Sequence, residues 1–146
     1  MPENSTIDLK NAPSPSLIRR LAAMLYDALL LIALLLVATA VITLPLGNPS
    51  GILLLVFQIF LFEIIPLLFF ARFWTRGGQT LGMRAWRLKL VRMDGGEVTW
   101  NDAVKRHLAA ILSFLVFGLG FIWILVDKQN LAWHDRLSRT RLLIIG

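Results

Sequence analysis

The chain has 146 residues, 57% of them hydrophobic and only 16% charged, with a mean hydropathy of +0.70. That composition excludes an ordinary soluble domain and describes one small membrane domain. The formal net charge of +6 does not indicate nucleic acid, because the basic residues flank apolar spans, where they serve topology and anionic lipid head groups. With no cysteine, disulfides, thiolate metal sites and cysteine nucleophiles are excluded.

Residues 1–15 carry Pro2, Pro13, Pro15, Asn4, Ser5 and Ser14 with few large apolar side chains and read as a mobile tail. The tail lacks the core and cleavage site of a signal peptide. Residues 16–146 form the membrane domain. Ser16 is a plausible N-cap for a first span from about Leu17 to Leu44, which closes at Pro45 and the uncharged turn Gly47, Asn48, Pro49, Gly51. Within that span lies Asp27, with Arg20 seven residues earlier. The two differ by about 20° around a helix and by roughly 10 Å along it. They share a face, beside the small residues Ala23 and Ala38. A carboxylate in a span costs at least ~2.5 kcal/mol and rarely stands without a partner or a task. Asp27 is therefore either an ion or proton site balanced by Arg20, or half of a structural ion pair.

The second span is predicted from about Ile52 to Trp74 and contains Gln58, Glu63 and Pro66. Glu63 falls near mid-membrane with no basic residue within a turn of it, and Pro66 frees the Phe62 carbonyl and can kink the helix. Glu63 is the second ion or proton site candidate, against a protonated acid that bonds a neighbouring helix.

Between Arg72 and Arg106 stand eight basic residues against three acids, which by the positive-inside rule places this loop in the cytoplasm. Inside it, Arg87 to Met93, Asp94-Gly95-Gly96 and Glu97 to Trp100 read as a hairpin. Thr99 and Asp102 form a capping box for a helix continuing into the apolar run Leu108 to Val126. Three full crossings would export a tail bearing Lys128, Arg136, Arg139 and Arg141. Gly118 and Gly120 loosen the run, and Thr140 to Ile145 looks like a strand suited to the loop. A re-entrant or broken helical pair over 107–126 is therefore preferred to an ordinary third span.

The polar stretches Gly77-Gly78-Gln79-Thr80-Leu81-Gly82-Met83-Arg84 and Asp127 through His134-Asp135-Arg136-Leu137, taken with Arg20 and Asp27, resemble the RDD family of small membrane proteins, named for one arginine and two aspartates. Arg20 and Asp27 match the first two named positions. Asp135 is the better match for the third, with Asp127 its competitor, and the resemblance runs from about Ser16 to Ile145. Function is mostly unassigned in that family, and cation/proton exchange is the activity most often suggested for it.

The expected fold is an all-α membrane protein with two transmembrane helices, a third re-entrant or spanning segment and a small cytoplasmic β element of two or three strands. Two functions fit. An oligomer could move a cation or proton through Asp27 and Glu63, with Arg20, Asp127, His134 and Asp135 as counter-charges or structural groups. Alternatively, the chain is a non-catalytic subunit of a larger membrane complex. An enzyme is not expected. Nor are a cofactor or a metal, since His107 and the adjacent pair His134-Asp135 supply too few ligands. The expected location is the cell membrane, the inner one in a Gram-negative bacterium, with the N-terminus cytoplasmic.

Overall fold

A computed structural model describes residues 12–146. Helix α1 spans Leu17–Leu46 and takes Pro45 into its last turn, and the Ser16 hydroxyl accepts the Arg19 N–H at its start. At 1.5 Å per residue its 30 residues reach about 45 Å, more than a bilayer's hydrocarbon layer of about 30 Å. The chain turns and returns through α2 (Gly51–Ile59), a π-helical turn (Phe60–Ile64) and α3 (Ile65–Thr75). These run as one apolar helix, so among the described residues two helices are long and apolar enough to cross a membrane. The π turn sits where Pro66 has no N–H to return to Phe62. One residue earlier, the Ile65 N–H reaches back to the Phe60 carbonyl, and the widened turn absorbs the missing bond.

After α3 come the short helix α4 (Leu81–Ala85) and strand β1 (Leu88–Arg92). Helix α5 (Trp100–Leu115) starts on the expected box: the Asp102 N–H donates to the Thr99 hydroxyl, and the Thr99 N–H to the Asp102 carboxylate at 3.0 Å. The apolar run then breaks. Phe117 and Gly118 adopt positive φ, and α6 (Leu119–Ile122) with the 3-10 turn Trp123–Leu125 leaves at 107° to α5. The two glycines do different work here. Gly118 takes the left-handed angle, while a Cβ on Gly120 would strike the Ser113 side chain. Helix α7 (Trp133–Leu137) and strand β2 (Thr140–Ile144) complete the chain.

The strands pair antiparallel, Leu88 opposite Ile144 through Arg92 opposite Thr140, as the apolar pattern of the last segment suggested. The hairpin within the loop is not formed. Asp94-Gly95-Gly96 does turn, with Gly95 N–H on the Arg92 carbonyl at 3.0 Å. The following residues do not return as a strand, because Thr99 is committed to capping α5 and Val98 is buried in the core. The sheet therefore has two strands. Its apolar residues Leu88, Leu90 and Leu142 pack on Ala23, Ala71, Met83 and Ala103, which clamps the polar ends of α1, α3 and α5 under one platform. Of the expected mobile tail, residues 1–11 lie outside the described residues. The next few are held: the Pro13 carbonyl accepts the Ile144 N–H at 3.0 Å, and Pro15 is buried.

Candidate functional site

Arg20 and Asp27 share a face of α1 but do not pair. Arg20 donates to Asp135 at 2.7 Å, to the Asn130 carbonyl at 2.7 Å and to the Pro15 carbonyl at 3.4 Å. The second guanidinium on Asp135 comes from Arg106 of α5, at 2.6 Å, and the same nitrogen donates to the Thr140 hydroxyl of β2 at 2.9 Å. The Ala132 N–H adds a third donor to Asp135 at 3.0 Å, and the Arg106 guanidinium lies over the Trp74 ring of α3. One fully enclosed carboxylate thus fastens α1, α5, α7 and β2 together. Burial alone would push its pKa up. Arg106 and Arg20 outweigh that and hold the Asp135 carboxyl well below the usual carboxylate range.

His134 beside it is also buried. Desolvation, reinforced by Arg106 and only partly opposed by Asp135, lowers its pKa to about 3. The imidazole is therefore neutral, and it packs on the Phe121 ring. Asp127, the competing aspartate, serves its own loop instead: it accepts the Gln129 and Leu131 N–H groups and the Arg136 guanidinium, which hold its pKa down.

Asp27 is buried and fully engaged elsewhere. One carboxylate oxygen accepts the Thr80 hydroxyl and the other the Gly82 N–H at 2.9 Å. Thr80 in turn caps α4 through the Met83 N–H. A Cβ at Gly82 would strike the Ala23 carbonyl and Asp27 itself, so only glycine lets α4 lie this close to α1. Gly78 meets the backbone of β1, where the Leu90 N–H donates to its carbonyl at 2.7 Å, and Gln79 reaches the Leu88 carbonyl. The Gly-Gln-Thr-Leu-Gly segment is thus a strap that binds α1 to the sheet.

Glu63 remains. It sits in the π turn, about 18 Å along the helix from either end, with 49% of its side chain uncovered. No basic residue is near it in sequence, but α5 brings the His107 ring nitrogen Nε2 to 3.9 Å. That nitrogen is buried and, among the described residues, has no hydrogen-bond partner. Among the described residues no group of three His, Cys, Asp or Glu side chains is placed to hold a metal.

Sequence reasoning missed Arg106, Thr80, Thr140 and His107. Arg106 counted only as loop charge, although it shares a helical face with Ala103, Ala109 and Ser113, and all four are buried. A cation on a stripe of small residues was the available signal.

Two apolar helices of membrane-spanning length joined to a small polar platform, fastened by Arg20, Arg106, Asp27 and Asp135, have the features of a protein of the RDD type. The model of the RDD family matches residues 14–139, and the chain belongs to that family. It is also 34% identical over 64 residues to the uncharacterized protein YxaI of Bacillus subtilis (strain 168), a stretch covering 44% of this chain and 42% of that protein. The matched stretch is thus less than half of the relative's length. No solved structure matches the chain.

Proposed function

We propose that the protein is a multi-pass protein of the cell membrane, the inner membrane in a Gram-negative bacterium, whose platform faces the cytoplasm. In this reading it acts as an oligomer that exchanges a small cation for a proton at Glu63. The observation that carries this is the contrast in partners. Asp27 and Asp135 have their oxygens taken by scaffold donors, while among the described residues Glu63 meets a histidine nitrogen at 3.9 Å and no hydrogen-bond donor. Loss of a proton bares the Glu63 carboxylate to accept the cation, and the return of a proton expels it. Half-exposed Glu63 needs cover within a bilayer, which a second copy supplies.

The bend of 107° supports a re-entrant segment, since Arg106 near the start of α5 and Asp135 after the bend meet in one cluster. Both termini are then cytoplasmic. Single cysteines at Ser5 and Lys128 should resist a membrane-impermeant thiol reagent in intact cells; labelling of Lys128→Cys alone would establish three full crossings.

In proteoliposomes with an imposed pH gradient, wild-type protein should move sodium or potassium, and Glu63→Gln, which mimics the protonated acid, should abolish the flux. An inert wild-type protein would remove the exchange reading. The accessory-subunit reading would then stand. It is favoured by one observation of its own: all three residues of the arginine–aspartate–aspartate set are spent on scaffolding. Mass determination of what co-purifies in mild detergent would test it.

A further inference from the structure

Helices α1, α3 and α5 leave between them a cavity of about 190 Å³ that reaches Arg20 and Arg106 at the platform end. Most of its wall is hydrocarbon, with Leu21 and Met24 from α1, Phe70 from α3, and Ile111 and Phe114 from α5, while Asp27, Thr80, His107 and His134 also line it. Leu21, Met24 and Phe114 also lie on the outer apolar surface, at 48%, 36% and 63% exposure, so the mouth opens sideways between α1 and α5. An apolar cavity of about 150 Å³ stays dry even in a soluble protein and accepts a hydrocarbon guest. A helix, about 10–12 Å across with its side chains, is too wide for a space of this volume. A single extended hydrocarbon chain is not.

Charge around the platform end identifies the head of that chain. The platform ends of these helices carry cations at the level of the cavity's Arg20, Trp74 and Arg106: Arg19 on α1, Arg72 on α3 with Arg76 just past its end, and Lys105 on α5. The ion pairs of the described residues involve none of these four. Basic side chains at the depth of lipid head groups attract anionic lipid. We propose that the cavity holds one acyl chain of an anionic phospholipid, whose head group sits among these cations. The proposal does not depend on the exchange reading, because neither Glu63 nor any flux enters it.

Trp74 lines the cavity and can report the occupant. The full chain, with Trp86, Trp100, Trp123 and Trp133 changed to phenylalanine, is reconstituted in phosphatidylcholine vesicles. These contain a minor fraction of either brominated phosphatidylglycerol or brominated phosphatidylcholine. Brominated phosphatidylglycerol should quench Trp74 at least about twofold more strongly than brominated phosphatidylcholine at equal mole fraction. Ala110→Leu, which fills the cavity wall, should remove the difference. Arg19→Gln with Lys105→Gln should weaken the preference while leaving the melting temperature unchanged. Where the tryptophan replacements prevent folding, native mass spectrometry of the wild-type chain should show phosphatidylglycerol retained through delipidation and lost from Ala110→Leu. Equal quenching by the two lipids, a preference untouched by Ala110→Leu, or loss of quenching when two copies are cross-linked across this face would overturn the proposal. The last result would assign the cavity to a second copy of the chain.

Discussion

Asp135 accepts two guanidiniums and a backbone N–H and is completely enclosed, whereas Glu63 meets one histidine nitrogen at 3.9 Å and leaves 49% of its side chain uncovered. The two carboxylates share a chain dominated by apolar helices, yet they answer the cost of leaving water in opposite ways. Asp135 recovers its lost hydration through fixed donors from distant parts of the chain, which makes it a rivet. Glu63 recovers little within one copy, where no fixed donor among the described residues holds it. Asp27 belongs with the rivets: its donors are Thr80 and Gly82, and its carboxyl group serves the packing of α4 on α1. Saturation of a buried acid by scaffold donors thus marks Asp27 and Asp135 as fastenings and sets Glu63 apart from them.

The contrast breaks most visibly at Asp135. Asp135→Asn leaves Arg20 and Arg106 buried against a neutral side chain and should cost about 3–5 kcal/mol, seen as loss of folded protein in detergent. Replacing the cluster as a whole (Arg20→Met, Arg106→Met, Asp135→Leu) should recover much of that loss, since no buried charge is then unpaired. Recovery would show that the cluster fastens rather than reacts. A smaller effect follows from His134. In the unfolded chain it takes up a proton near its ordinary value of 6.5, but in the folded protein only near about 3. The unfolded state therefore binds the proton first. Stability should be complete above about pH 6.5 and fall as the pH drops toward about 3, by a few kcal/mol at most. Thermal melts across that window check this, and His134→Gln should flatten the slope.

What could be read in advance follows the range over which each interaction acts. The spans, the Ser16 and Thr99 caps and the break at Gly118 are set by neighbours within a turn or two, and local pattern carried them. The pairing of β1 with the final strand was also legible, because an apolar strand beside a membrane must find a partner for its backbone. Arg20 was harder. Its spacing to Asp27 pointed to a shared face, but its carboxylate lies 115 residues away, a distance at which helical periodicity is silent. The second half of the loop hairpin failed for a related reason, since Thr99 had two possible uses and the cap won. At Glu63 the sequence supplied depth and the proline but not His107, whose position depends on how α5 crosses the second span.

The central claim is that Asp27 fastens and Glu63 does not. The direct measurement is the melting temperature of Asp27→Asn and Glu63→Gln, each against wild type in the same detergent. Asp27→Asn, which weakens the acceptor for two buried donors, should lose about 1–3 kcal/mol and melt several degrees lower. Glu63→Gln, with no fixed hydrogen bond to lose in a single copy, should melt within about a degree or two of wild type. An Asp27→Asn protein as stable as wild type beside a Glu63→Gln protein that collapses would reverse the two roles and contradict the account.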